Sequence, residues 1–221
     1  MIEKFRAKIE LSSFTLKIIA IVSMTIDHVG VVLFPQYIVF RIIGRIAFPI
    51  FCFLLVEGFF HTHDLKKYML RLGIFALVSE IPFDLAASKT ILEFQHQNIF
   101  FTLLAGAFML YLLEKNRYNS FIKVSTVVMM MLLVELLHTD YSSMGLLIIL
   151  CFYLTRGSFW PMVLSIAIVN ILFIGHIQGY GALALIPIGL YSGEQGPRMK
   201  YFFYCFYPIH LLLIYLIWRC I

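Results

Sequence analysis

The segment that decides the fold is residues 41–63, RIIGRIAFPIFCFLLVEGFFHTH, which is apolar enough to cross a lipid bilayer. Three charged residues, Arg41, Arg45 and Glu57, lie inside this apolar run. A charged side chain at the centre of a membrane helix costs about 2.5–3.5 kcal/mol, so a segment that only anchored the chain would not contain them. We therefore interpret this segment as one wall of a polar site inside the membrane.

The composition of the whole chain agrees with a membrane location. The 221 residues are 62% hydrophobic and 13% charged, with a mean hydropathy of +0.93, whereas soluble domains are about 45–50% apolar and about 25% charged. The net charge of +5 does not indicate nucleic-acid binding, because the basic residues lie between apolar segments, where they determine topology. We expect one integral-membrane domain over residues 1–221, without a removable signal peptide.

Nine segments are candidates for membrane helices. They cover approximately residues 15–34, 38–60, 66–85, 97–114, 119–137, 142–155, 158–175, 178–191 and 200–219. The segments 142–155 and 178–191 are short, so each either spans the membrane, re-enters it or merges with a neighbour. Lysine and arginine concentrate in alternate loops, which by the positive-inside rule places the N-terminus in the cytoplasm and the C-terminus outside. The prediction is an all-α bundle of about nine transmembrane helices.

Polar residues from five of these segments collect near the outer ends of the predicted helices. They are Asp27, His28, Arg41, Arg45, Glu80, Asp84, His96, Asn98 and Glu135. Facing lipid, their charges would be costly, so we expect them to face inward, with Arg45 paired to either Asp27 or Glu80. Such a cluster is either a structural network that locks the helices together or the lining of a site. Its two imidazoles and its off-centre depth favour a site.

His28 is the candidate for chemistry, because an imidazole titrates near neutral pH and can take a proton from an attacking amine or hydroxyl. Asp27 precedes it, but adjacent helix residues point about 100° apart, so no simple dyad is implied. His210 follows Pro208 in the last helix, and it either satisfies the backbone at the proline break or lines the site. Glu57 lies toward the cytoplasmic end of its helix.

The loop 192–200, SGEQGPRMK, is the most glycine-rich of the chain. Its backbone N–H groups, with Arg198 and Lys200, could hold phosphate groups, or the loop is only flexible and positively charged. The four cysteines form no CxxC pair, and the histidines near residue 61 form no HExxH motif. We therefore expect no metal site.

Five motifs, taken together and in this order, resemble the TraX family. They are LKIIAIVSMTIDH (16–28), RIIGRIAFPIFCFLLVEGFFHT (41–62), RLGIFALVSEIPFDL (71–85), HQNIFFTLL (96–104) and FYPIHLLL (206–213). TraX proteins are linked to N-terminal acetylation of conjugative pilin. The family also looks like a distant member of the transmembrane acyltransferases, which include the lysosomal heparan glucosaminide acetyltransferase, and in that group an imidazole near the end of the first core helix is the usual catalytic residue.

This resemblance implies a multi-pass acetyltransferase of the bacterial inner membrane that takes acetyl-CoA from the cytoplasm. His28 would act as general base or transient acyl carrier, and the acceptor would be an amine or hydroxyl of a pilin-like protein, a glycan or a small molecule. We assign catalytic roles to His28, Asp27, Arg45 and Glu80. Substrate-binding roles go to Arg41, Glu57, Asp84, His96, Asn98 and His210, and binding of the donor phosphates goes to Arg198 and Lys200.

The alternative function is a small proton- or ion-coupled transporter that uses the same buried ionisable residues as a relay. The chain shows no internal repeat of the kind that many transporters have, and its polar residues crowd into the first half. An intramembrane protease is a third and more distant reading, since neither HExxH nor GxSxG occurs.

Overall fold

The structure is a computed structural model that describes residues 10–172 and 177–221. Its helices are α1 (Ser13–Leu33), α2 (Ile38–Gly44), α3 (Ala47–His61), α4 (Leu65–Ala87), α5 (Ile99–Lys115), α6 (Ser120–Leu136), α7 (Ser142–Leu154), α8 (Phe159–Ile171), α9 (Leu185–Gly189) and α10 (Lys200–Cys220). A 3-10 helix, Ile177–Ala184, leads directly into α9. The all-α prediction is confirmed for these residues, and all nine predicted segments contain helix. Residues 173–175 of the seventh segment lie outside the described ranges.

The predicted helix 38–60 is two helices, α2 and α3, separated by a break at Arg45 and Ile46. Pro49 explains the break, because it has no N–H to donate to the carbonyl of Arg45 one turn earlier. Together the two helices still form an apolar stretch of 24 residues. The consequence is that Arg45 lies at a helix end, from which its side chain can reach several neighbouring elements.

The predicted helix 178–191 also differs, since its first two turns are a 3-10 helix and α9 has only five residues. Glycine lowers helix propensity by about 1 kcal/mol, and this segment contains Gly179 and Gly181. Gly181 lies against the break between α2 and α3. A Cβ on Gly181 would be 3.3 Å from Cγ of Pro49 and 3.4 Å from the carbonyl oxygen of Arg45. The 3-10 helix therefore packs against the junction of α2 and α3.

Within residues 10–172 and 177–221, three stretches are long and apolar enough to cross a membrane by themselves, Ser13–Leu33, Ile38–His61 and Lys200–Cys220. Helices α7 and α8 have 13 residues each, or about 20 Å, which is shorter than the hydrocarbon core of about 30 Å. The chain is thus a membrane protein by its apolar helices. Nine full crossings and a cytoplasmic N-terminus stay predictions.

Two features of the packing create the site. Helix α10 packs against both α1 and α4, which brings the end of the sequence to its beginning. Helices α1 and α2 approach closely through glycines: a Cβ on Gly30 would overlap the side chain of Phe40, and one on Gly44 would overlap the side chain of Asp27. Small residues permit such close approach of membrane helices, and here they place Asp27 directly beside the end of α2.

Candidate functional site

Two histidines, His28 on α1 and His210 on α10, form the centre of the candidate site. Nδ1 of His28 lies 2.7 Å from Nε2 of His210, and the rings stack with their centroids 4.9 Å apart. His210 is buried, and its Nδ1 lies 2.9 Å from the carbonyl oxygen of Phe206. The sequence left two roles open for His210, a bond to the backbone of its own helix or a place in the site. The structure shows both a contact with His28 and a contact with a carbonyl of its own helix.

The hydrogen bonds of this pair determine which nitrogen carries a proton. A carbonyl oxygen only accepts, so Nδ1 of His210 must donate to Phe206, and Nε2 of a neutral His210 must then accept. Nδ1 of His28 is therefore the donor to His210. In its neutral form His28 is left with an unprotonated Nε2, which is the nitrogen that a general base needs.

Asp27 faces away from His28 and toward α2, as expected for adjacent residues of a helix. It hydrogen-bonds the guanidinium of Arg45 and lies 3.3 Å from Nη1 of Arg41. Arg45 is only 5% exposed, whereas the side chain of Arg41 is 34% exposed. Of the two predicted partners of Arg45, the structure thus selects Asp27 and not Glu80.

Tyr141, in the α6–α7 connection, was not predicted to belong to the site. Its hydroxyl accepts a hydrogen bond of 3.0 Å from Nη1 of Arg45, which also donates to Oε1 of Gln178 in the 3-10 helix. The ring of Tyr141 stacks on Phe48 with the centroids 3.7 Å apart. Burial raises the pKa of the Tyr141 phenol, so the hydroxyl keeps its proton at neutral pH and can donate it in a hydrogen bond.

The backbone that presents Tyr141 is strained. His138, Tyr141 and Ser142 have φ angles of 51°, 61° and 40°, in a region that residues other than glycine adopt only at some cost. Strained non-glycine residues persist where the surrounding structure determines them, and they concentrate at functional sites. No local sequence signal marks the backbone at Tyr141 and Ser142, because neither residue type favours a positive φ.

Glu80 and Asp84 belong to a second polar group, one turn apart on α4. Oε2 of Glu80 accepts from the side chain of Asn98, whose Nδ2 also donates to the carbonyl of Ala76 at 2.7 Å. Oδ2 of Asp84 accepts from the backbone N–H of Glu93 at 2.9 Å. Glu80, Asp84 and Asn98 therefore hold the start of α5 and the preceding loop to α4.

Tyr207 lies between this second group and the histidine pair. Its ring contacts His28 edge-on, with centroids 6.1 Å apart, and His210, with centroids 5.6 Å apart. On its other side the ring contacts Phe100, in the first turn of α5, with centroids 5.3 Å apart. The sequence signal for Tyr207 was available, since it precedes His210 by three residues and therefore shares its helix face.

Comparison with known proteins decides the family. A family model described as "TraX protein" matches residues 12–218. The chain belongs to the TraX family. A relative named "Probable fimbrial assembly protein FimC, serogroup H1", from Dichelobacter nodosus, is 28% identical over 235 residues, covering 93% of this chain and 95% of the relative. An uncharacterised protein of Rickettsia prowazekii strain Madrid E is 32% identical over 121 residues, covering 52% of this chain and 44% of the relative. No solved structure gives a significant match.

Three of the predicted site residues lie at the end of the bundle opposite the histidine pair. They are Glu57, Arg198 and Lys200. Glu57 pairs there with Arg156, whose Nε is 2.8 Å from Oε1. Arg198 and Lys200 are exposed. The loop between α9 and α10 directs carbonyls of Glu194 and Gln195 to the first N–H groups of α1, at 2.8 and 3.2 Å. These carbonyls cap the start of α1.

In this TraX-family chain, His96 lies in the loop before α5 and contacts the α6–α7 connection. Its Nε2 lies 3.7 Å from Oδ1 of Asp140. The two loops are held together by a backbone bridge in which Gln97 bonds the carbonyl of His138 at 3.0 Å and accepts from Asp140 at 2.9 Å. The neighbouring Asp140 carboxylate raises the pKa of His96 above its ordinary value of 6.5.

Replacing His96 by Gln is expected to flatten the pH dependence of stability above neutral pH. Because the pKa of folded His96 is raised, its pair with Asp140 contributes fully below the unfolded pKa of about 6.5 and is lost as pH rises through the folded value. Thermal unfolding in detergent, measured from pH 5.5 to pH 9, should therefore show a fall in Tm for the wild type that His96→Gln lacks. His63→Gln, which changes an exposed histidine at the other end, is the matched control. An unchanged slope in His96→Gln would contradict the assignment.

Proposed function

We propose that this chain is an acyl-CoA-dependent acetyltransferase of the bacterial inner membrane, which moves an acetyl group to an amine or hydroxyl. The observation that carries the proposal is the His28–His210 hydrogen bond, which leaves Nε2 of His28 free to act as a base. Membership of the TraX family supports the reaction class. The orientation we propose has the N-terminus in the cytoplasm, so the site end of the bundle faces the other side.

In this mechanism His28 handles the proton. Nε2 of His28 takes the proton of the acceptor N–H or O–H as that atom bonds to the acetyl carbonyl carbon. The imidazolium then gives the proton to the departing thiolate as the C–S bond breaks, so the products are the acetylated acceptor, free thiol and neutral His28. His210 is a positioning residue, since its Nε2 accepts from Nδ1 of His28 and stabilises the cation that forms.

Arg45 and Tyr141 supply the electrostatic part. The negative charge that develops on the carbonyl oxygen needs donors that are already oriented. The Tyr141 hydroxyl accepts from Arg45, which polarises its O–H bond and leaves its proton free for the substrate. Asp27 holds the guanidinium in place, and burial of Arg45 strengthens its field.

The acceptor we propose is the N-terminal amine of a pilin-type subunit. One relative is named as a fimbrial assembly protein. A neutral amine is also the nucleophile that a histidine base activates near neutral pH.

Thiol release from acetyl-CoA tests the proposal directly. The purified protein in detergent is incubated with acetyl-CoA, with and without a peptide that carries a free N-terminal amine, and free thiol and peptide mass are followed. We expect thiol release that depends on the peptide, with 1:1 acetylation. No release, combined with proton or solute flux in liposomes that lack acetyl-CoA, would contradict the enzyme and favour the transporter.

Tyr141→Phe is expected to lower kcat by about 10- to 100-fold with little change in the KM for acetyl-CoA, because the lost hydrogen bond forms mainly in the transition state. Tyr153→Phe is the matched control: it removes a hydroxyl bonded to Glu114 at 2.9 Å, far from the histidine pair. Equal kcat values for the two variants would exclude Tyr141 from the oxyanion site.

A further inference from the structure

Two cations lie inside helices at the end of the bundle opposite the histidine pair. Lys17 on α1 has its Nζ 5.5 Å from the ring centroid of Phe203. Arg71 on α4 lies 5.9 Å from the ring of Tyr68 and beside the hydroxyl of Tyr204. Phe203 and Tyr204 are adjacent residues in the first turns of α10, so Lys17 and Arg71 flank the start of this helix.

Neither cation has an acidic partner in the part of the chain that the structure describes. The ion pairs of residues 10–172 and 177–221 include Arg41, Arg45 and Arg156 but not Lys17 or Arg71. The Nε of Arg71 is buried and makes no hydrogen bond. Cations inside membrane helices usually pair, because an unpaired charge there is costly. Anionic groups bound at Lys17 and at Arg71 would satisfy both charges.

The register of the helices connects this cationic pair to the histidines. Lys17 and His28 are eleven residues apart on α1, so they lie within about 20° of the same face and about 16 Å apart along the axis. Phe203 and His210 share a face of α10 in the same way, seven residues apart. Lys17 contacts Phe203 at one level of the α1–α10 interface, and His28 contacts His210 at another level. The interface between these two levels, which we call the α1–α10 seam, therefore connects the cations to the base.

The side chains along this seam are apolar. Ala20 and Met24 lie between Lys17 and His28 on the same face of α1, and both are buried. Both side chains are packed inside the bundle, and methionine is flexible enough to repack around an inserted chain. The seam therefore suits a thin arm that carries an anionic group at one end and a reactive group at the other.

We propose that Lys17 and Arg71 bind the phosphate groups of the acyl donor, with the thioester arm extended along the α1–α10 seam to His28. This assignment rests on the proposed acetyltransferase function. The pantetheine arm between the pyrophosphate and the thioester sulfur has about 13 consecutive bonds and extends about 16 Å, which is long enough to reach from the level of Lys17 to that of His28 on α1. Phosphate pairs well with a guanidinium and an ammonium. The site replaces Arg198 and Lys200 as the binding place of the phosphates.

The experiment compares two donors, acetyl-CoA and acetyl-pantetheine, which differ in their phosphates and nucleotide. For Lys17→Met and Arg71→Met, we expect the kcat/KM preference for acetyl-CoA over acetyl-pantetheine to fall at least about tenfold, through KM, as each loses one charge-assisted contact. Activity with acetyl-pantetheine should be retained, which also shows that the variants fold. Lys123→Met, a basic residue near the start of α6 at the same end, is the matched control and should keep the preference.

Each further outcome distinguishes the alternatives. An unchanged preference in both variants, with active wild type, overturns the phosphate site and leaves the acetyltransferase intact. If the site instead binds the phosphate of a lipid headgroup, the variants lose a dependence on phosphatidylglycerol in nanodiscs while the donor preference stays. If wild type transfers no acetyl group, the proposed function fails, and calorimetric titration with CoA alone decides the site: binding weakened by Arg71→Met supports it, and absence of binding overturns it.

Discussion

His28→Ala is expected to release thiol from acetyl-CoA at no more than the uncatalysed rate, while the protein still inserts and unfolds cooperatively. A positioned general base contributes about 10²- to 10⁴-fold to a rate, and an acyl-carrier role would make the loss larger still. The measurement is peptide-dependent thiol release by purified protein in detergent, with thermal unfolding as the check on folding. Full activity in His28→Ala would remove His28 from the mechanism.

His210 provides the matched comparison for this prediction. In His210→Gln the amide oxygen can still accept from Nδ1 of His28, whereas in His210→Leu nothing accepts and the His28 ring loses its fixed tautomer. We expect His210→Gln to keep part of the activity, with a shifted pH profile of kcat/KM, and His210→Leu to approach His28→Ala. Equal activity of the Gln and Leu variants would contradict the positioning role.

Arg45→Met is expected to lower both stability and activity strongly. It leaves Asp27 buried without its closest cation and removes the donor to Tyr141 and Gln178. Breaking a buried ion pair by removing one partner costs about 3 kcal/mol or more, which corresponds to a fall in Tm of about 6–12 °C for a chain of this size. Thermal unfolding in detergent and the thiol-release assay measure the two effects.

Arg41→Met is the control, since Arg41 contacts the same carboxylate from one turn away. Its side chain is 34% exposed, so its ion pair is weaker and the loss should be about 1 kcal/mol or less. Similar losses in Tm for Arg45→Met and Arg41→Met would show that the buried ion pair of Arg45 does not stabilise the fold more than the exposed pair of Arg41.

The helical segments followed from the sequence because hydrophobic length is a local property. The break at Arg45 was also within reach, since Pro49 removes a specific hydrogen bond one turn away. The 3-10 helix was harder, because Gly179 and Gly181 lower helix propensity without specifying what replaces the α-helix. Packing against the α2–α3 junction decides that.

The site was predictable to the level of residue type and depth. The cost of burying charge predicted that Asp27, Arg45 and Glu80 would find partners, but depth alone left Arg45 with two possible carboxylates. The close approach of α1 and α2 through Gly30 and Gly44 selects Asp27. Glu80 instead bonds Asn98 on α5.

The sequence by itself determined that residues 41–63 are an apolar wall with charges that must be paired, and that an imidazole follows Asp27 on the first helix. Only the tertiary structure decided what His28 faces. His210 is 182 residues away, and Tyr141 reaches Arg45 from a loop with an unusual backbone. The physical reason is that burial costs act on each residue separately, whereas the partner of a buried group depends on which helices pack together.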